Sequence, residues 1–319
     1  MQLETAPPSP PGTSRTAAFA LLWATIGVGS VAFTFVTVAL RELSPLSLAT
    51  GRVVSSAALF TLVVLRTPGQ RRPILPGDRW KVFVCGFGGS AVFHVLFNAG
   101  QQRVSVAIAA VIMSTYPVMT SLGEVLFLGH RLRAPQVVGL VVSLGGSAAI
   151  AFGGSLGGGS APALGAMLIA GSTATWAAVT VITRGLGDRY GAWWLNTPGT
   201  VIGAAVMLLV DAPRLHEFAD LSLKGWLLVI WLGTASSAFI YYAMARAMTV
   251  VSATTATSLS TVVTPTSVLV AWVVLGDPPS WREVIGGAIV LAGVILVVRS
   301  GDPAGEGTTT VPPLGEAPA

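Results

Sequence analysis

Glu124 is the one carboxylate set deep within an apolar stretch of this 319-residue chain. A charge at the centre of a bilayer costs roughly 2.5–3.5 kcal/mol on insertion scales, so the side chain needs a partner or a task. The task open to it is proton or cation exchange. The structural alternative is a pair with Arg246, which falls at a similar depth at the end of the eighth apolar segment. Ser114, Pro117, Ser121 and Glu124 follow steps of three, four and three, which puts them on one helical face. Pro117 leaves the carbonyl four residues earlier without its helical donor, a break tolerated where a membrane helix faces protein or a wet cavity. Pro265 repeats this device in the second half of the chain.

A second group lies on the third apolar segment, where Ser90, His94, Asn98 and Gln101 form a polar stripe at steps of four, four and three. A histidine that titrates near physiological pH, followed by two side-chain amides, suits a cavity wall facing a polar substrate. Interhelical hydrogen bonds, worth roughly 0.6–2 kcal/mol each in membranes, are the structural alternative. Arg52 lies inside the second segment and requires a partner, a water-filled vestibule or an outward path for snorkelling. The ninth segment is rich in hydroxyls, most of which can bond to carbonyls one turn back. Thr257, Thr261 and Thr264, beside Pro265, make its expected cavity face. Tyr116, Trp176, Tyr241 and Tyr242 add candidates for a partly aromatic pocket.

The elements that must position these residues follow from composition. With 53% hydrophobic and 10% charged residues and a mean hydropathy of +0.75, the chain reads as a polytopic membrane protein. Apolar stretches near twenty residues lie at roughly 17–40, 46–65, 80–100, 104–128, 134–152, 163–184, 191–210, 223–246, 251–275 and 281–299. About twenty residues cross the hydrocarbon core as helix, so ten transmembrane helices are expected. A β-barrel would need alternating strands of about ten residues instead. The first run is too long for a cleaved signal and reads as a span. Residues 1–14 and 301–319 are rich in Pro, Gly and Thr and are expected to be disordered tails. Cys85, the sole cysteine, excludes an internal disulfide.

Basic residues set the expected orientation. With the N-terminus cytoplasmic, twelve Lys and Arg fall on the inside and five on the outside, with Arg52 uncounted within a span. That asymmetry places both termini in the cytoplasm of a cell bounded by this plasma (inner) membrane. It also accounts for the net charge of +5 without a nucleic-acid partner.

The second half of the chain repeats the first. Ala99 to Pro117 and Ala247 to Pro265 are each eighteen residues, an offset of 148 that also pairs His94 with Tyr242. After a slip of one, Gly129, Gly139 and Gly146 fall opposite Gly276, Gly286 and Gly293. The glycine-rich stretch 153–162 reads as a linker between repeats at 15–152 and 163–300. Five spans per repeat would invert one half relative to the other. That architecture belongs to secondary transporters, whose site sits at the midplane between halves that rock.

The run from Pro117 through LGEVLFLGHRL to QVVGLVVSLGG, its echo from Pro265 through VLGDPPSWREVIGGAIVLAG, and SPLSLATGRVV with Pro45 and Arg52 resemble the drug/metabolite transporter superfamily, EamA-type branch. The likeness spans about residues 17–299. It implies ten helices in a basket around a central cavity, moving small metabolites, often outward. Where the family usually has Glu after the Gly ending spans four and nine, this chain has His130 and Asp277.

Other motif matches carry no chemistry here. Gly27-Val-Gly29-Ser-Val-Ala32 and Gly86-Phe-Gly88-Gly-Ser-Ala91 fit a dinucleotide fingerprint but lie within apolar helices, where they read as close-packing surfaces. Gly153-Gly-Ser155-Leu-Gly157 lacks the strand-to-helix turn of a nucleophile elbow. Three scattered histidines offer no metal ligand set. The chain is therefore expected to be a secondary transporter without cofactor or enzymatic activity. It would export a small metabolite, amino acid or drug-like compound by alternating access, with protons as a candidate coupling ion. A lipid flippase or a partner subunit of a membrane complex is the alternative, and a membrane enzyme is a more distant one.

The topology is checked by cysteine labelling after Cys85 is replaced. Cysteines at Arg71 and Ser155 are expected to react from opposite sides of the membrane, and labelling of both from one side contradicts the inverted repeat.

Overall fold

The computed structural model describes residues 14–67, 69, 71–128, 133–152, 162–183, 186–247 and 262–300. Among them the regular structure is helical, with no strand. Helix α1 is Arg15–Ala39 and α2 is Pro45–Arg66. Helix α3 runs continuously through Arg79–Phe83, a π-helical stretch Val84–Val92 and Phe93–Gln101. Helix α4 is broken into Val106–Met113 and Tyr116–Leu128, and α5 is Ala134–Phe152. The second half supplies α6 (Pro162–Ile182) and α7 (Ala192–Val210). Helix α8 combines Leu223–Gly233, a π-helical Thr234–Phe239 and Ile240–Ala247. Helices α9 (Val263–Leu275) and α10 (Trp281–Ser300) complete the set.

Among the described residues seven helices are long and apolar enough to cross a membrane, and Ala134–Ser147 and Val263–Leu275 are shorter apolar helices. Leu126, Val141, Leu209, Leu227 and Val273 are each more than half exposed. So large an apolar surface suits a lipid-facing exterior rather than water. The chain is an all-α polytopic membrane protein.

Local sequence explains where the helices begin. Ser14, Ser44, Ser105 and Ser222 precede α1, α2, α4 and α8, and each side-chain oxygen accepts a backbone N–H three residues on. Pro45 follows Ser44 in the first helical position, where its missing N–H is harmless. The expected break at Pro117 is present. Ser114 and Thr115 donate to the carbonyls of Val111 and Ile112 three residues back, and the helix restarts at Tyr116. Pro265 occupies the third residue of α9, so both prolines sit near helix starts.

Packing repeats with the sequence. The contact of α1 with α9 is matched by α6 with α4, α1 with α8 by α6 with α3, and α2 with α8 by α7 with α3. The pairs α2–α7, α4–α9 and α5–α10 are their own counterparts. This is the exchange pattern of a pseudo-twofold axis relating two five-helix repeats. The main apolar cluster draws on both halves, with Leu48, Ile108, Val118, Ile169, Leu232 and Val290 fully buried. Residues 153–161 of the linker, and 1–13 and 301–319 of the tails, lie outside the described residues.

Close crossings depend on glycine. A Cβ at Gly86 would collide with the backbone of Gly199 and Thr200 on α7, and one at Gly139 would stand 2.7 Å from the Gly293 carbonyl oxygen on α10. Of the two fingerprint-like motifs, the second is therefore a packing surface at Gly86, whereas Gly27 meets nothing within 4 Å. Alanine normally favours a helix interior by up to about 1 kcal/mol over glycine. At Gly86 overpacking, about 1–3 kcal/mol, outweighs that gain. Gly86→Ala is expected to lower the thermal midpoint and monodisperse yield of detergent-solubilised protein, while Gly27→Ala leaves both at or above wild type. Equal behaviour of the two would show that the α3–α7 crossing is not close packed.

Candidate functional site

The polar stripe of α3 is buried throughout and fastens that helix to four others. Ser90 shares a hydrogen bond with Thr200 of α7 at 3.1 Å. His94 Nε2 lies 3.0 Å from Ser237 Oγ of α8. Asn98 Oδ1 accepts from Arg52 Nη1 of α2 at 3.1 Å, and its Nδ2 donates to the Pro45 carbonyl at 3.4 Å. Gln101 Nε2 donates to the Phe33 carbonyl and to Thr37 Oγ1 of α1. Ser90 and Gln101 thus serve helix association. Asn98 instead meets Arg52, whose Nη2 reaches Ser236 Oγ at 3.5 Å, next to the Ser237 that bonds His94. Arg52, Asn98, His94, Ser236 and Ser237 form one polar cluster where α2, α3 and α8 converge.

Arg52 is 3% exposed, so it does not snorkel. Its Nε and the Nδ1 of His94 are buried without a hydrogen-bond partner among the described residues. Ionisable groups buried in this way inside a membrane bundle are candidates for function.

Two π-helical stretches, not foreseen from the sequence, place this cluster. Val84–Val92 and Thr234–Phe239 occupy corresponding positions in α3 and α8 under the offset of 148. In α8 the Ser237 hydroxyl donates to the Leu232 carbonyl five residues back, at 3.0 Å. Gly233 packs against the backbone of Arg52, and Ser56 Oγ donates to the Gly233 carbonyl at 2.6 Å. π-Helical turns recur at functional sites because they turn side chains out of α-helical register.

Aromatic rings adjoin the cluster. Phe93 lies 5.1 Å from the His94 ring and 5.6 Å from Trp176 of α6, which in turn lies 4.8 Å from Tyr241. Tyr241 donates to the Gly89 carbonyl at 2.8 Å. A Cβ at Gly89 would stand 3.3 Å from Trp176, so glycine there admits the ring. Tyr242 points to α7, where it stacks on Trp193 at 4.9 Å, and Tyr116 donates to Thr180 Oγ1 of α6. The structure therefore brings His94, Asn98 and Arg52 together, with Trp176 and Tyr241 beside them through Phe93. Tyr242 and Tyr116 engage other neighbours.

The remaining expected residues are more distant or undescribed. Thr257 and Thr261 lie outside the described residues, as does the Glu124 side chain, although its helix is described. The suggested Glu124–Arg246 pair therefore lies outside what is described. Arg246 sits in the last turn of α8.

Polar latches join the halves at both ends of α2. At one end Glu42 accepts the backbone N–H and hydroxyl of Ser222, at 3.1 and 3.0 Å, and Glu217 accepts the Ser44 N–H at 2.7 Å. Asp211 accepts from Ser47 Oγ at 3.2 Å. At the other end Asp78 accepts from Arg189 Nη1 at 2.6 Å and from Tyr190 at 2.7 Å. The Leu75 N–H donates to the Tyr190 hydroxyl at 3.2 Å. Glu42 and Tyr190 are related by the offset of 148, and Ser222 and Leu75 fall within one residue of it. Sequence reasoning missed these latches and the two α8 serines, because the repeat alignment exposes the latch positions only once their contacts are known.

Comparison with known proteins agrees with this architecture. An uncharacterized transporter of Archaeoglobus fulgidus is 27% identical over 277 residues, covering 86% of this chain and 96% of that protein. An uncharacterized transporter of Bacillus subtilis is 29% identical over 272 residues, covering 84% of this chain and 87% of its own. A probable terminal-alkyne amino-acid exporter of Streptantibioticus cattleyicolor is 27% identical over 240 residues, covering 72% and 76%. A crystal structure shares the fold at a TM-score of 0.62 and 21% identity, covering 89% of this chain and 96% of that one. The EamA-like transporter family matches residues 16–152 and again 163–299. Matched once by each half of its length, the chain belongs to the EamA-like transporter family.

Proposed function

We propose that this membrane transporter is a secondary exporter that carries a small metabolite by alternating access, with the cluster at Arg52, Asn98 and His94 as its binding region. The observation that carries this reading is the pair of corresponding latches, Glu42 with Ser222 and Tyr190 with Leu75, on either side of a buried polar and aromatic cluster. If equivalent contacts close the two ends, breaking one while keeping the other exposes the cluster to one side. Two states so related differ little in energy, as transport requires. With both termini cytoplasmic in the inner membrane, the Glu42 latch is the outer gate and the Asp78 latch the inner one. His94, Trp176 and Tyr241, the more distant Tyr116 and Tyr242, and Thr257 and Thr261 of the segment outside the described residues make the candidate substrate surface, Pro117 and Pro265 its helix breaks. Arg246 and Glu124 are the remaining charged candidates, and Glu124 is the proposed proton-coupling carboxylate. The export direction draws support from the Streptantibioticus relative, named as a probable exporter.

The test is counterflow by the purified protein in liposomes, on compounds first found by thermal shift against a metabolite library. Exchange by the protein alone is expected; exchange only with an added partner contradicts the reading. In the same assay Glu124→Gln keeps the side chain's shape and removes its charge. The variant is expected to lose the response to an imposed pH gradient and to keep exchange at equal pH, which moves no net protons. Reduced thermal stability with intact pH coupling would instead assign Glu124 a structural role, since leaving a buried cation without its partner costs about 3–5 kcal/mol.

A further inference from the structure

Arg52 carries five N–H donors and no acceptor. The described residues offer it two side-chain acceptors, Asn98 Oδ1 at 3.1 Å and Ser236 Oγ at 3.5 Å, the second at the limit of a hydrogen bond. Its Nε is buried without a partner, and no described carboxylate approaches within ion-pair distance. The guanidinium presents a fork matched to a carboxylate, with Asn98 holding one nitrogen in place.

The neighbouring histidine supplies the opposite polarity. Ser237 has one hydroxyl hydrogen, and it is given to the Leu232 carbonyl at 3.0 Å. The Ser237 oxygen must then accept from His94, so Nε2 bears the proton and Nδ1 the lone pair. That Nδ1 is buried and has no donor among the described residues. The two groups are close in the fold. Asn98, which holds Arg52, is one helical turn from His94, and Ser236 and Ser237, the α8 partners of Arg52 and His94, are consecutive.

We infer that Arg52 and His94 form a two-point recognition site: the Nε edge of Arg52 takes a substrate carboxylate, and His94 Nδ1 takes a hydrogen-bond donor on the adjacent carbon, an amine or a hydroxyl. Phe93 and Trp176 would face the rest of the substrate, favouring an apolar side chain. This deepens the transporter reading and rests on it. It names the substrate class as 2-amino or 2-hydroxy acids and disfavours cationic compounds, which Arg52 repels.

The test uses the purified wild-type protein and matched compounds, read by thermal shift and by counterflow in liposomes. Each of the alanine, leucine and phenylalanine series comprises the 2-amino acid, the 2-hydroxy acid, the acid lacking a 2-substituent and the amino-acid amide. In at least one series the amide and the unsubstituted acid are expected to bind at least tenfold more weakly than the better of the two substituted acids. Whether the amino or the hydroxy acid leads identifies the donor. Arg52→Lys is expected to weaken binding at least tenfold, and His94→Phe to abolish preference for the 2-substituent while retaining carboxylate selectivity. Since the wild-type comparison needs no variant, a folding defect in either leaves the inference open to refutation. Amides binding as well as acids, or indifference to the 2-substituent in every series, overturns it. Failure of all series alongside transport of a cation or neutral compound also overturns it and leaves the transporter reading intact. Absence of transport for every library compound by monodisperse protein counts against both.

Discussion

Arg52 is a cation buried inside the helix bundle at 3% exposure, and the meeting of three helices around it follows from that constraint. A guanidinium in such a place must be met by oxygen. Asn98 meets it from α3 and Ser236 from α8, so the residue ties the second helix of one repeat to the third helices of both. The π-helical stretch of α8 presents consecutive serines, one to Arg52 and one to His94. Gly233 lets α8 approach the Arg52 backbone closely enough for both contacts. A change in any of these parts bears on the others.

The pseudo-twofold axis makes the rest of the molecule a paired version of this geometry. Where α2 crosses α8 through Gly233, α7 crosses α3 through Gly86 and Gly199. The chemistry at related positions has diverged, however. Arg52 corresponds to Thr200, which bonds Ser90, and Glu42 corresponds to Tyr190, which donates to Asp78. The backbone keeps the symmetry while the side chains give each end its own bond type. One end closes through carboxylates on serine and backbone N–H groups, the other through an ion pair backed by a tyrosine. Latches of unequal strength on equivalent joints are a means of biasing one orientation over the other.

Much of the fold is legible in the sequence because membrane solvation leaves few choices. Continuous apolar runs must be helices, and the spacing from Ala99 to Pro117 and from Ala247 to Pro265 fixes the repeat. The stripe Ser90, His94, Asn98 and Gln101 is likewise visible as one helical face, but its division of labour is not. Gln101 and Asn98 are both amides, yet Gln101 binds the α1 backbone and Asn98 binds Arg52. Which partner each finds depends on helix rotation, which the π-helical stretches alter. No residue type in VCGFGGSAV or TASSAF announces a π-helix. The pairing of Tyr242 with His94 shows the same limit. Their equivalence holds in sequence, while Tyr242 stacks on Trp193 and His94 bonds Ser237.

In the proposed cycle the two latches open alternately around the buried cluster. Spin labels at Arg41 and Leu223 across one latch, and at Gly77 and Thr183 across the other, in a Cys85→Ser background in lipid nanodiscs, report both separations by pulsed electron resonance. Each label pair is expected to show a short and a long distance. Asp78→Asn should populate the long distance across its own latch while shortening the distribution across the other. Single, unchanged distances in both pairs, or simultaneous lengthening of both, would contradict alternating access in this fold.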